Sequence, residues 1–128
     1  KLYLKVDDVY SLNEKPAVLA DATLKEVILA ISKGRLGATA VVDANNKVKG
    51  IITDGDVRRM LETIDNLSVI KAADIYSSAP KCVQPALLAA EAFEMMKQFD
   101  ISQVLVTGTD DAYLGILHLH DLIREGII

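Results

Sequence analysis

The chain has 128 residues, of which 51% are hydrophobic and 25% charged, so it can fold as one compact domain or as two very small ones sharing a core. Its formal net charge of −4 and isoelectric point of about 5.1 argue against nucleic acid as the main partner, because a phosphate backbone needs a basic face. No apolar run approaches the roughly 20 residues of a membrane-spanning helix, and no signal peptide is visible, so we expect a cytoplasmic protein without a membrane partner.

The first half of the chain predicts strands and helices in a definite order. A short extended piece around Val18 precedes an amphipathic helix, whose apolar residues recur at i, i+3, i+4 and i+7: Leu24, Val27, Ile28 and Ile31. Two stretches rich in β-branched residues, 39–42 and 48–53, predict strands joined by the polar turn 43–46. A closing helix is predicted to begin near Val57. The order is strand, helix, strand, strand, helix.

The second half repeats this order. Gly50-Ile51-Ile52 corresponds to Gly115-Ile116-Leu117, which lies 65 positions later (115 − 50), and Asp56 corresponds to Asp121 at the same offset. The extended piece recurs around Val83, and Leu122 opens a shorter closing helix. The apolar face of the first helix also has its counterpart, in Ala89, Ala92, Phe93 and Met96. Such self-similarity indicates a duplicated unit.

We therefore divide the chain into a lead-in at 1–7, a first repeat at 8–62, a linker at 63–73 and a second repeat at 74–128. A repeat of this size buries too little surface to be stable alone. We predict an α+β fold in which two small sheets pack face to face with pseudo-two-fold symmetry.

The segment 50–59 carries the most suggestive group of polar residues. A strand ends, a hydroxyl and carboxylates follow, and a helix begins with two arginines; unpaired N–H groups at such a helix start suit a phosphate. Asp56, an acceptor when ionised, suits the hydroxyls of a ribose. In an alternative and compatible interpretation, Asp56 only caps the helix and the arginines are solvated. The candidate ligand-binding residues here are Thr53, Asp54, Asp56, Arg58 and Arg59.

In the second repeat His118 stands in place of the threonine. His118 and His120 share a face if the strand continues that far. Together with Asp121 they could hold zinc, although three ligands from one short segment are a weak metal signal; contact with a phosphate or sugar and a structural role are the other interpretations. An imidazole here would make binding sensitive to pH near neutrality. We predict no metal site, and the candidate ligand-binding residues are His118, His120, Asp121 and Arg124.

No catalytic motif is visible: there is no Walker-type loop, Gly-x-Gly-x-x-Gly or nucleophile elbow. Glu91 and Glu94 could be an acid–base pair, but a solvated helix face is the interpretation we favour. The single cysteine, Cys82, cannot form an internal disulfide, which fits a reducing cytoplasm. We expect it to be a buried structural cysteine rather than a catalytic thiol, and we predict that this chain has no catalytic residues.

The Gly-apolar-apolar-Thr-x-x-Asp signature at 50–56 resembles that of a cystathionine β-synthase (CBS) domain, and the pair of repeats resembles a Bateman module. The segments 50–59 and 115–124, with the end at 125–128, resemble the C-terminal region of bacterial arabinose-5-phosphate isomerases over essentially the whole chain. The resemblance implies a parent enzyme that interconverts ribulose 5-phosphate and arabinose 5-phosphate for the synthesis of 3-deoxy-manno-octulosonate (Kdo), a sugar of lipopolysaccharide. It places the active site in an N-terminal sugar-isomerase (SIS) domain outside this chain, which begins at Lys1 rather than at an initiator methionine.

The resemblance also implies roles for individual residues. CBS pairs bind adenosine or other nucleotides between their repeats, with the motif aspartate on the ribose and the threonine near the phosphate. By that analogy Thr53 and Asp56 line one cleft, and His118 and Asp121 line the other, where the histidine departs from the common motif. A homodimer of CBS pairs and a tetrameric parent are implied as well.

Two hypotheses follow for the function. In the first, a nucleotide or nucleotide sugar, of the cytidine type (such as cytidine-linked Kdo) or the adenine type, binds between the repeats and biases the isomerase. In the second, the pair is a structural module that dimerises and helps to assemble the parent, and its clefts are vestigial. We favour the sensor.

Overall fold

The computed structural model describes residues 3–127. Residues 1–2 of the predicted lead-in and Ile128, the end of the predicted second repeat, lie outside the described residues. The first half contains α1 (Val6–Tyr10), β1 (Ala17–Leu19), α2 (Leu24–Gly34), β2 (Ala38–Val42), β3 (Val48–Thr53) and α3 (Asp54–Thr63). The second half contains β4 (Cys82–Val83), α4 (Ala89–Phe99), β5 (Gln103–Thr107), β6 (Tyr113–His118) and α5 (Leu119–Arg124), and short 3₁₀ turns lie at Leu67–Val69, Ala72–Asp74 and Thr109–Asp111.

The strands form two three-stranded sheets of identical topology. In each sheet the first strand pairs parallel with the central one and the last pairs antiparallel with it. Both antiparallel pairs carry a register shift at equivalent places, between Val41 and Val42 and between Val106 and Thr107. The predicted α+β fold with two small sheets is confirmed, and the shared irregularity shows that the duplication extends to local backbone geometry.

Helix α2 forms for the reasons that its sequence suggests. The hydroxyl of Thr23 accepts the N–H of Glu26 (3.1 Å), the Glu26 carboxylate accepts the N–H of Thr23 (3.0 Å), and these two reciprocal bonds fix the helix start. The side facing the sheet is buried as predicted, through Leu24, Val27 and Ile31, but Ile28 is 40% exposed. Its place in the predicted core stripe is wrong, because Ile28 faces the groove between α2 and α3 rather than the sheet.

The segments before the first strand of each sheet pack on the core of the other half. Val6 and Val9 of α1 are buried in the core of the second half, among Met96, Leu117 and Leu122. Conversely, Ile70 and Ala72 are buried in the core of the first half. Neither half therefore completes its core from its own residues, which is a consequence of its small size.

A third core joins the faces of the two sheets. It is made by residues of both halves: Leu36, Ala38, Ala40, Val42, Leu105, Tyr113 and Ile116. The hydroxyl of the fully buried Tyr113 donates to the carbonyl oxygen of Pro16 at 2.7 Å, so it also ties β6 to the chain just before β1. Within residues 3–127, no helix has the length and apolar character needed to cross a membrane.

Both closing helices begin earlier than the apolar pattern predicts. Helix α3 starts at Asp54 rather than near Val57, and α5 starts at Leu119 rather than at Leu122. In each case the last residue of the strand, Thr53 or His118, is the polar cap of the helix. Val57 and Leu122, which the apolar pattern marks as the starts, therefore lie at the end of the first turn. Because β6 ends at His118 and His120 lies on α5, the strand does not continue far enough for the two histidines to share a strand face, which was the condition stated above.

Candidate functional site

Three of the candidate residues come together where β3 passes into α3. The Asp56 carboxylate accepts the backbone N–H of Thr53 through Oδ2 (2.9 Å), and the Thr53 hydroxyl accepts the N–H of Asp56 (3.3 Å). Asp56 Oδ1 also pairs with Nη2 of Arg59 at 2.7 Å. Asp56 therefore caps the helix, as the alternative interpretation of this residue predicted. The side chain nevertheless keeps 18% of its surface exposed, and that of Arg59 keeps 69%.

A surface cavity of about 250 Å³ lies beside this group. It is lined by Asp56, Arg59, Met60, Thr63, Asp74 and Ile75. Asp74 and Ile75 belong to the predicted second repeat, but Ile75 packs against the core of the first half, so the cavity lies between α3 and the segment that leads into the second repeat. A hydroxyl, a carboxylate with free surface and an exposed guanidinium in the first two turns of a ten-residue helix can bind a sugar hydroxyl and a phosphate.

The structure separates Asp54 and Arg58 from that group. Both are exposed, and one turn of helix places them on another face of α3. Asp54 lines the groove between α2 and α3, together with Arg35 and Gly37. These two residues and the Asp56 group therefore face different parts of the surface, which the run of sequence from 53 to 59 does not reveal.

In the equivalent group of the second repeat the aspartate makes the same two bonds within the repeat, but its side chain is buried. The Asp121 carboxylate accepts the N–H of His118 (2.8 Å) and pairs with Nη2 of Arg124 (2.8 Å). It also accepts Nδ2 of Asn13 at 2.7 Å. Only 3% of the Asp121 side chain is exposed. Sequence reasoning missed Asn13, and no local pattern marks it, because it lies 108 positions before its partner.

His118 is held as a neutral hydrogen-bond acceptor. Its Nδ1 accepts the backbone N–H of His120 at 2.9 Å, which requires an unprotonated nitrogen. Burial and the neighbouring His120, whose ring centroid lies 4.5 Å away, lower the pKa of His118, against the opposing effect of the Asp121 carboxylate. The imidazole thus caps α5 in its neutral form.

This arrangement predicts a loss of stability on acidification. In the unfolded chain His118 takes up a proton as the pH falls through about 6.5, whereas the folded chain resists protonation until a lower pH. The contribution of neutral His118 to the free energy of unfolding is therefore complete above about pH 6.5 and is lost as the pH falls below that value. Urea unfolding at several pH values between about 8 and about 5 measures this pH dependence of the free energy of unfolding. His118→Asn keeps an uncharged cap and should show a weaker dependence; an unchanged dependence would contradict the assignment.

The three residues considered for catalysis, which are Glu91, Glu94 and Cys82, make contacts that are common in folded proteins. The Glu91 carboxylate accepts the N–H of Leu88 at the start of α4 (3.3 Å), and Glu94 pairs with Lys97 (3.4 Å) at the exposed surface. Burial, with a smaller effect of Asp111, raises the pKa of the half-buried Cys82 thiol. Among residues 3–127, no three histidine, cysteine or carboxylate side chains are grouped to hold a metal ion.

The sequence matches the family model described as "CBS domain" twice, over residues 6–63 and 72–127. Among curated proteins it is similar to arabinose 5-phosphate isomerase KdsD of Salmonella typhi, with 37% identity over 100% of this chain and 39% of that protein. The KdsD protein of Pseudomonas aeruginosa is 35% identical, again over 100% of this chain and 40% of the relative. The chain thus spans about two fifths of the length of these relatives.

Solved structures agree on the fold. The CBS domain pair of protein MJ0100, in complex with 5′-methylthioadenosine and S-adenosyl-L-methionine, superposes with a TM-score of 0.84 at 20% identity, over 95% of this chain and 94% of that one. The CBS domains of a transcriptional regulator from Streptococcus pneumoniae give a TM-score of 0.78 at 20% identity, over 94% of this chain and 98% of that one.

Proposed function

Since the chain belongs to the CBS domain family as a tandem pair of such domains, we propose that it is a regulatory module that senses a nucleotide or nucleotide sugar and catalyses no reaction itself. The observation that carries the proposal is the group formed by Thr53, Asp56 and Arg59, whose carboxylate has free surface beside a cavity between α3 and the start of the second repeat. The related pair of protein MJ0100, which was solved with two adenosine derivatives bound, supports this ligand class.

The target that we propose is an arabinose 5-phosphate isomerase. The support is the 37% identity to KdsD over the whole chain, with about three fifths of the relative left over for a catalytic SIS domain. In this proposal the chain acts in the cytoplasm, and its ligand reports on the Kdo pathway. The ligand is of the cytidine type, such as cytidine-linked Kdo, or of the adenine type. Bound ligand then biases the isomerase to which the pair is joined.

In the proposed site each residue has a separate task. Asp56 accepts the hydroxyls of the ribose, and Thr53 donates to the phosphate from the start of α3. Arg59 swings from Asp56 to the phosphate, which its exposure permits. Of the other candidates, Asp54 and Arg58 lie on a different face of α3 and do not contact the ligand in this proposal. His118, His120, Asp121 and Arg124 form the corresponding group of the second repeat.

Thermal unfolding with added ligand tests this proposal. AMP, ATP, CMP, CTP and cytidine-linked Kdo are titrated in turn, and a ligand of the folded state raises the unfolding midpoint with the logarithm of its concentration. We expect one nucleotide class to do so, and Asp56→Ala to weaken its affinity at least about 10-fold through loss of hydrogen bonds to a charged group. Asp54→Ala, which removes the same charge two residues away, is the matched control. Equal affinity of the wild type and Asp56→Ala would refute the site.

A second candidate function, assembly, is favoured by an exposed apolar surface. Its residues lie on α2, α3 and the following 3₁₀ turn: Ile28, Leu29, Leu61, Leu67 and Val69. A cavity of about 380 Å³ lies among them, and an apolar patch of this kind is typical of a protein interface. In this proposal two copies dimerise and help to form a tetrameric parent. Sedimentation of the titrated samples reports on it: a monomer at all concentrations would exclude self-assembly of the pair.

A further inference from the structure

The two capping aspartates are equivalent within their own repeats but not in their surroundings. Asp56 and Asp121 each accept the N–H of the residue that begins the cap, at 2.9 and 2.8 Å, and each pairs with an arginine three residues later, at 2.7 and 2.8 Å. Yet the exposed fraction of the side chain is 18% for Asp56 and 3% for Asp121. Besides the two histidines that stand in place of Thr53 and Gly55, one residue outside the repeat pattern contacts Asp121.

That residue is Asn13. Its Nδ2 donates to Oδ2 of Asp121 (2.7 Å) and to the carbonyl oxygen of Ile116 (2.9 Å). The amide thus uses both of its hydrogens on the second repeat, although it belongs to the segment after α1. Helix α1 holds it there, because Val6 and Val9 are buried in the core of the second half.

The first repeat shows what happens without such an amide. At Ile51, the equivalent of Ile116, the backbone of Ser77 runs alongside β3 and exchanges hydrogen bonds with it, from Ile51 N–H (3.2 Å) and to the Ile51 carbonyl (3.0 Å). Residues 11–13 turn instead, with the Asn13 N–H donating to the Tyr10 carbonyl (2.9 Å), so a side chain takes the place of this bridge. The residue that aligns with Asn13 at the offset of 65 is the short and exposed Ser78.

The following inference rests on the proposed function. We infer that the Asn13 amide already uses the Asp121 carboxylate, the ligand acceptor of the second cleft, so that the chain binds one nucleotide-type ligand, at Asp56. A ribose hydroxyl that reached Asp121 would displace the amide and leave it, together with the Ile116 carbonyl, without partners. Both bonds of the amide are partly buried, and their loss should weaken binding roughly 10-fold. Asp56 requires no such displacement, because among the described residues its hydrogen bonds come from Thr53 and Arg59 alone.

Calorimetric titration with AMP and with CMP measures the number of sites. We expect one equivalent per chain in the wild type, lost in Asp56→Ala. Asn13→Ala, or Asn13→Ser if the first variant folds poorly, should bind a second equivalent. Ser78→Ala is the matched control and should leave one. Two equivalents in the wild type, or a single site that survives Asp56→Ala, would overturn the inference, as would a single equivalent in both Asn13 variants.

A double-mutant cycle tests the closure without any ligand. Asn13→Ala and Asp121→Ala, alone and together, should be coupled by about 10-fold in the unfolding equilibrium constant, whereas Asn13→Ala and Asp56→Ala should be additive. If the coupling is present but neither nucleotide binds any variant, the proposed function fails for these ligands while the closure stands. Absence of the coupling would refute the closure whatever the nucleotides do.

Discussion

Asp121→Ala is expected to lower the free energy of unfolding by about 2–4 kcal/mol, whereas Asp56→Ala should lower it by about 1 kcal/mol. The Asp121 carboxylate is buried and accepts the N–H of His118 and the amide of Asn13, and its removal leaves these donors unsatisfied. The partly exposed Asp56 can be replaced by water. The pairs with Arg59 and Arg124 add little to either value, because both guanidinium groups are mostly exposed.

Urea unfolding of the two alanine variants and the wild type measures this difference. Asp121→Asn, which keeps the shape and one acceptor oxygen, should recover part of the loss. Equal costs at the two positions would contradict the assignment of a mainly structural role to Asp121. The contrast also bears on the proposed sensor, because a ligand site is expected where a polar group has free surface rather than where the fold already uses all of its hydrogen bonds.

The duplication, the order of elements and the strand positions could be predicted from the sequence because they depend on local pattern. The stripe that includes Leu24, Val27 and Ile31 and the alternation of strand and turn recur at one offset, so each copy supports the other. The early starts of α3 and α5 could not be predicted in this way, since polar caps define them. Ile28 shows the limit of periodicity: it has the right spacing for the core, but the groove beside α3 leaves it exposed.

The candidate site was predicted in part. The sequence places Thr53, Asp56 and Arg59 within two turns of a helix start, and the structure brings them into contact. The contacts that the site residues make with residues far away in sequence could not be predicted. They arise because α1 packs on the core of the second half and the segment around Ala72 packs on the core of the first half. Asn13 is the clearest case. Nothing near it in sequence indicates a bond to Asp121.

Gly50→Ala is expected to lower the free energy of unfolding by about 3 kcal/mol, at the upper end of the cost of overpacking. A β-carbon on Gly50 would overlap the carbonyl oxygen of Ser77 and the ring of Tyr76. The Ser77 oxygen cannot move aside freely, because it accepts the N–H of Ile51 in the bridge that joins the two halves. The clash therefore strains the contact through which the second repeat completes the core of the first.

Gly55→Ala is the matched control for this change, since it adds the same methyl group five residues away. Its β-carbon would come closest to the guanidinium of Arg59, at 3.3 Å, and would lie at ordinary contact distance from the Thr53 hydroxyl, at 3.7 Å. The exposed Arg59 side chain can move away. Because Gly55 lies inside α3, alanine there should stabilise the chain by about 0.5–1 kcal/mol through its helix propensity. Urea unfolding of both variants decides the matter. If the two changes shift the unfolding midpoint in the same direction by similar amounts, then backbone contact at Ser77 is not what requires glycine at position 50, and the bridge between the repeats is more yielding than its geometry indicates.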